Sequence, residues 1–231
     1  MIRLLIRNSL IRILYIDRTE PERMLLLSSL FACTLVLARL IYSGKSLFVF
    51  MPWNLFLASV PYVITEWLSA RPAWIEKKWR FFSAFLVWLL FVPNSFYILT
   101  DLFHLGISDE APLWYDLALL LSFAWTGLLL GILSIRRMEM IFSLAYSFRY
   151  RWVFIAVIMF LNALGVYIGR YLRFNSWDVL ANPIGLAADI SYILIHPLRN
   201  PGAWGMIACY ALLMTLLYYS IKKISQSFNK L

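Results

Sequence analysis

The residues best suited to chemistry lie in one segment, VPNSFYILTDLFHL, which runs from Val92 to Leu105. A helix through it would place Asn94, Tyr97 and Asp101 on one face, because residues three and seven positions apart share a helix face. His104 follows one turn beyond Asp101. A partly buried carboxyl group beside an imidazole can exchange protons, so Asp101, assisted by His104, is the candidate general base.

Further polar residues follow at the start of the next apolar segment and in the sequence RYLRFNSWD. Two Arg residues one turn apart suit an anionic headgroup, because the planar guanidinium engages phosphate or carboxylate oxygens with paired hydrogen bonds. The candidate ligand-binding residues are Asn94, Tyr97, Asp116, Arg170, Arg173, Asn175, Trp177 and Asp178.

A structural role is the main alternative for these charges. Asp101 and Asp116 would then pair with Arg170 and Arg173 and hold three helices together, since charges near a bilayer are usually paired. A metal centre at Asp101 and His104 is disfavoured, because the chain has two His and no thiolate close to them. No nucleotide-binding or zinc-protease motif occurs, and the sequence leaves the cofactor unknown.

The composition indicates a membrane protein. Apolar residues form 62% of the 231 residues and charged residues 14%, against roughly 45–50% and 25% in soluble domains. Ten Trp and thirteen Tyr suit a chain with two membrane interfaces. We attribute the net charge of +9 to membrane topology and not to nucleic-acid binding, because the basic residues fall between apolar segments.

Six segments have the length, about 20 residues, that a bilayer-spanning helix requires. We therefore predict an all-α polytopic bundle of about six spans. The predicted spans are Met24–Tyr42, Leu47–Leu68, Phe81–Leu99, Leu113–Ile135, Trp152–Gly169 and Ala203–Ile221.

The distribution of basic residues predicts the orientation. Of the 21 Lys and Arg residues, sixteen fall on the side that holds both termini, four fall on the other side, and Arg39 lies inside the first span. Cytoplasmic loops carry the excess of Lys and Arg, so both termini are predicted to be cytoplasmic. The polar clusters described above would then face outward. Glu66 lies near the cytoplasmic side, where we expect Arg71, Lys77 or Lys78 to neutralise it.

The chain divides into three predicted parts. Residues 1–23 form a basic amphipathic helix on the membrane surface, residues 24–221 form the six-span domain, and residues 222–231 form a basic cytoplasmic tail. A seventh span through Ala181–Leu198 would be short and would bury Asp189. We therefore expect a helix that lies in, or dips into, the outer interface.

Three blocks in order, FVPNSFYILTDLFHL, PLWYDLALLLSFAWTGLLLG and GRYLRFNSWDVLANP, resemble a bacterial membrane family known only as domain of unknown function 1361. The resemblance covers about Trp53 to Pro183. It implies a location in the bacterial inner membrane, and it brings no established activity and no catalytic residues.

Three functions are compatible with these features. The first is binding, and modification, of a lipid or lipid-linked anionic substrate at the outer side. The second is a small transporter or channel, suggested by the proline in the third span and by gapless self-similarity between the segments that begin at Trp53 and Trp88. The third is an accessory subunit, suggested by Gly-x-x-x-Gly spacings that favour close helix contact.

Overall fold

The computed structural model describes residues 19–107, 109–146 and 150–228. This part of the chain is helical and contains no strand, which confirms the all-α polytopic prediction. Residues 1–18, most of the predicted surface helix, lie outside it. The helices are α1 Glu20–Ser43, α2 Met51–Ser69, α3 Pro72–Glu76, α4 Lys78–Tyr97, α5 Leu113–Tyr146, α6 Arg151–Tyr167, α7 Asp178–Ala181, α8 Pro183–Ile195 and α9 Pro201–Phe228.

Each of the six predicted spans coincides with one of the longer helices. Five of them, α1, α4, α5, α6 and α9, are long and apolar enough to cross a membrane. The remaining helix, α2, has 19 residues, or about 28 Å at about 1.5 Å per residue. It is not among these five, and it contains Asn54, Glu66 and two prolines. The chain is therefore a multi-pass membrane protein, and α2 remains the predicted sixth span.

Polar contacts mark two opposite ends of the bundle. At one end, here called the Asp101 end, Asn54 of α2 contacts Asp101. At the other end, here called the Glu139 end, Glu66 of α2 pairs with Arg137 of α5. Glu139 of α5 pairs there with Lys222 of α9. Helix α2 therefore runs along the full depth of the bundle. Helix α5 runs in the opposite direction, because Asp116 in its first turn pairs with Arg39, which lies over Phe48 just before the start of α2.

The directions of the other long helices follow from the same contacts. Arg39, near the last turn of α1, lies at the Asp101 end. Lys222, near the last turn of α9, lies at the Glu139 end. The start of α1 and the end of α9 therefore share the Glu139 end, as a six-span topology requires.

The Gly-x-x-x-Gly spacings serve packing within one chain. A side-chain carbon on Gly127 or Gly131 of α5 would come within 2.5–2.8 Å of Ile98 or Ser95. A side-chain carbon on Gly165 of α6 would lie 2.6 Å from the Pro93 ring of α4. These glycines are used for contacts between α4 and its neighbours, so they lend no support to the accessory-subunit alternative.

Two helices change geometry as they reach the Asp101 end. After Pro93, α4 ends at Tyr97 and continues as a 3₁₀ segment, Ile98–His104. The shared face of Asn94, Tyr97 and Asp101 was conditional on a regular helix, and the chain instead tightens into a 3₁₀ segment before it reaches Asp101 and His104. In the same region α6 continues as a π-type turn, Ile168–Leu172.

Helix α8, Pro183–Ile195, falls where a seventh span was conceivable. It has 13 residues, about 20 Å, and is too short for a hydrocarbon core of about 30 Å. Its Asn182 cap accepts a hydrogen bond from the Gly185 backbone, and the Trp204 indole donates to the Ile193 carbonyl. The first bond caps α8, and the second fixes its end to the start of α9. The place of α8 in the interface remains a prediction.

Candidate functional site

A cavity of about 870 Å³ lies between α2, α4 and α6. Residues of α8 and of the segment before it cover one side. Most of its walls are apolar, and its polar groups gather at the Asp101 end. The polar lining residues are Asn54, Asn94, Tyr97, Asp101, His104, Arg170, Asn175 and Ser176.

Asp101 is 1% exposed, and a buried carboxylate needs partners to offset its desolvation. Its Oδ2 accepts a hydrogen bond from Asn54 Nδ2 at 2.9 Å. Its Oδ1 faces Arg170 Nη1 at 3.7 Å. These contacts join α2, α4 and α6, so the expected pairing of Asp101 with Arg170 is correct.

Arg170 approaches Asp101 beyond hydrogen-bond distance, and its guanidinium carbon lies 5.3 Å from the Phe103 ring centroid. The side chain is about one-fifth exposed. A guanidinium carries five N–H donors. Within the described chain no hydrogen bond uses those of Arg170, so they are available to an anion in the cavity.

His104 is held by two contacts. Its Nδ1 lies 3.1 Å from the backbone carbonyl oxygen of Asp101, and its ring centroid lies 5.5 Å from that of Phe50. A carbonyl oxygen can only accept, so this bond requires a proton on Nδ1. In the neutral ring Nε2 then carries a lone pair and can accept a hydrogen bond from a ligand.

Asn94 and Tyr97 shape the wall next to α6. The Asn94 amide donates to the Phe91 carbonyl at 2.9 Å and to Ser176 Oγ at 3.0 Å. A side-chain carbon on Gly169 would lie 3.2 Å from the Tyr97 ring. The absence of a side chain at Gly169 therefore lets the π-type turn approach α4. The bond from Asn94 to Ser176 joins the segment after that turn to α4 as well.

Asp116 lies outside the cavity and makes a different ion pair from the expected one. Its carboxylate accepts hydrogen bonds from Arg39 Nε at 2.6 Å and Nη2 at 3.1 Å, and both side chains are 2% exposed. The expectation that Asp116 pairs with Arg170 or Arg173 is therefore wrong.

Four of the ten predicted site residues thus fall outside the cavity lining: Asp116, Arg173, Trp177 and Asp178. Arg173 is exposed and has a left-handed backbone, with φ 61°. Asp178 accepts a hydrogen bond from the Asn175 backbone and so stabilises the turn before α7. The cavity brings together the other six, Asn94, Tyr97, Asp101, His104, Arg170 and Asn175.

Sequence reasoning missed two residues that hold charges in place. Asn54 donates a hydrogen bond to Asp101. A polar amide near one end of an apolar span needs a partner, and this was the feature of the sequence that could have indicated the contact. Arg39 was noted inside the first span without a partner. A charge within a span requires a partner, and that requirement indicated an unassigned ion pair. Glu66, expected beside Arg71, Lys77 or Lys78, pairs with Arg137 of α5.

The cavity opens on an apolar surface of the bundle. Three lining residues are largely exposed: Trp53 at 53%, Leu86 at 61% and Val87 at 48%. Leu86 precedes Tyr97 by eleven helical residues, or about 16 Å along α4. The cavity therefore extends from the polar groups well into the apolar part of the bundle.

Among the described residues, no group of three or more His, Cys, Asp or Glu side chains is placed to hold a metal ion. The polar residues of the cavity are suited instead to hydrogen bonding and to binding an anion.

The fold and the cavity define a polytopic helical membrane protein with a side-opening amphipathic pocket. The family described as "Protein of unknown function (DUF1361)" matches residues 53–217, and the chain belongs to this family. No curated protein and no solved structure matches it.

Proposed function

We propose that the protein binds an anionic lipid or lipid-linked molecule in this cavity. The observation that carries the proposal is the position of Arg170 at the end of a long apolar pocket. The guanidinium would bind the headgroup, and the apolar walls between α2, α4 and α6 would hold the chain.

The position of the opening supports a ligand that arrives from the membrane. Trp53, Leu86 and Val87 are exposed on the apolar surface of helices. An acyl or prenyl chain that enters from the bilayer stays in apolar surroundings, and it avoids the exposure to water that costs about 0.8 kcal/mol per CH₂. A water-soluble anion would gain nothing from most of the pocket.

The location we propose is the bacterial cytoplasmic membrane, with both termini in the cytoplasm and the Asp101 end outward. Basic residues are concentrated at the Glu139 end, where Arg136, Arg137 and Lys222 make contacts. The positive-inside rule assigns such an end to the cytoplasm. The pocket would then take its ligand from the outer leaflet.

The test is lipid binding to the purified full-length protein, measured by native mass spectrometry with dioleoyl phosphatidylglycerol. We expect Arg170→Gln to weaken binding by at least about tenfold, because hydrogen bonds to charged groups contribute about 1.5–3 kcal/mol. Arg173→Gln is the matched control, since Arg173 is exposed and lies outside the cavity lining. Equal affinities for the wild type and Arg170→Gln would refute the assignment of the headgroup to Arg170.

A second arm distinguishes a lipid from a soluble ligand. Glycerophosphoglycerol carries the same phosphodiester headgroup without acyl chains, and we expect it not to displace the lipid at equal concentration. Displacement by glycerophosphoglycerol would show that the pocket binds a water-soluble anion, contrary to the proposal.

A further inference from the structure

Among the polar groups that line the Asp101 end of the cavity, Arg170 and His104 have opposite hydrogen-bonding character. Arg170 presents N–H donors, and His104 presents the Nε2 lone pair. Asp101 is only 1% exposed, its Oδ2 accepts from Asn54, and its Oδ1 faces the Arg170 guanidinium at 3.7 Å, so it presents little surface to a ligand. We infer that the ligand of the proposed function carries, beside its anionic group, a hydroxyl or amine that donates a hydrogen bond to His104 Nε2.

The argument for the acceptor rests on geometry. The Nδ1 bond to the Asp101 carbonyl and the contact with the Phe50 ring fix the imidazole in position. His104 lines the cavity together with Phe50 and Asn54. His104 is partly buried, and its acceptor loses free energy when a bound ligand shields it from water without offering a donor. A ligand with a donor is therefore preferred over one without.

The arrangement also gives Asp101 and His104 roles that differ from the expectation that Asp101 is the general base. That carboxylate positions Asn54 and Arg170 and stays enclosed, while His104 meets the ligand. Asp101 is thus a positioning residue, and His104 determines which headgroup is accepted.

The test compares two lipids with the same acyl chains and the same single negative charge. Dioleoyl phosphatidylglycerol has headgroup hydroxyls, and dioleoyl phosphatidylmethanol has none. We expect the wild-type full-length protein to bind the first about five- to tenfold more tightly, as one hydrogen bond allows. His104→Phe keeps a ring beside Phe50 but lacks Nε2, so it should bind both lipids with equal affinity.

The chain contains a matched control in its second histidine. His196 Nδ1 lies 3.2 Å from the Tyr192 carbonyl oxygen, and its ring stacks on Tyr192. This repeats the arrangement at His104, but His196 does not line the cavity. His196→Phe should therefore keep the wild-type preference for phosphatidylglycerol.

The outcomes separate this inference from the proposed function on which it rests. Equal binding of both lipids by the wild type, with Arg170→Gln still impaired, would overturn the headgroup inference and leave lipid binding intact. Absence of saturable binding for either lipid would overturn the proposed function. A preference that persists in His104→Phe would overturn the assignment to His104. The wild-type comparison decides whether the donor matters even if His104→Phe does not fold.

Discussion

The ion pair between Arg39 of α1 and Asp116 of α5 allows a quantitative test of how α1 is attached. Both side chains are 2% exposed, and the Arg39 guanidinium also lies 4.7 Å from the Phe48 ring centroid. Removing one partner of a buried pair leaves an uncompensated charge and costs about 3–5 kcal/mol. We therefore expect Arg39→Met to lower the free energy of unfolding by about that amount.

The double variant Arg39→Met/Asp116→Leu should behave differently from the single one. Replacing both charges with apolar groups removes the desolvation cost together with the attraction, so stability should return to within about 1 kcal/mol of the wild type. The assay is titration with SDS in mixed micelles, followed by circular dichroism. Lys45→Met is the control, because Lys45 pairs with Glu110 in an exposed position and such pairs contribute about 0–1 kcal/mol.

Two results would refute this account. A single variant as stable as the wild type would mean that the charges are solvated in the membrane-inserted protein. A double variant as unstable as the single one would mean that the loss reflects packing around Phe48, where the Arg39 side chain lies, and not the uncompensated charge.

Three further changes test packing and the opening of the cavity. Gly165→Val should lower the unfolding temperature, because its added carbons meet the facing proline ring, whereas Gly205→Ala, with open space around it, should leave that temperature unchanged or raise it. Asn162→Leu should raise the free energy of unfolding by about 1–3 kcal/mol in the same SDS titration, because both buried amide atoms lack a partner in the described chain; a loss of stability would contradict this. Leu86→Trp should slow lipid uptake measured by stopped-flow fluorescence, because Leu86 lines the cavity where it opens. Leu121 is exposed to a similar extent and does not line the cavity, so Leu121→Trp should leave the rate unchanged. Equal rates for the two variants would refute the assigned opening.

The apolar segments sufficed to predict the helices, because a bilayer of fixed thickness sets the length of each span and excludes unpaired backbone. The same rule placed Asp101 and Arg170 at one depth, and the two residues are indeed in contact. Depth does not specify which neighbour a side chain faces. Asp116 was therefore assigned to the wrong arginine, although Arg39 lies at the same end.

The local geometry of the site was less accessible from the sequence. Pro93 indicated a disturbed helix, but the 3₁₀ segment from Ile98 to His104 depends on how α4 packs against Gly127 and Gly131. Asn54 lies 47 residues before Asp101, and no spacing rule connects residues on separate spans. Contacts of this kind arise from the assembled bundle and not from any one segment.

The distance along the chain between Arg39 and Asp116 also affects biosynthesis. The two residues are 77 positions apart, so at about 5–20 residues per second the ribosome needs about 4–15 s to supply the carboxylate after the guanidinium. During that interval Arg39 has no carboxylate partner, and its place near the last turn of α1 keeps the insertion cost below the value of about 2.5–3.5 kcal/mol for a charge at the centre of a span. The ion pair that attaches α1 to α5 therefore forms only after the start of α5 has been synthesised.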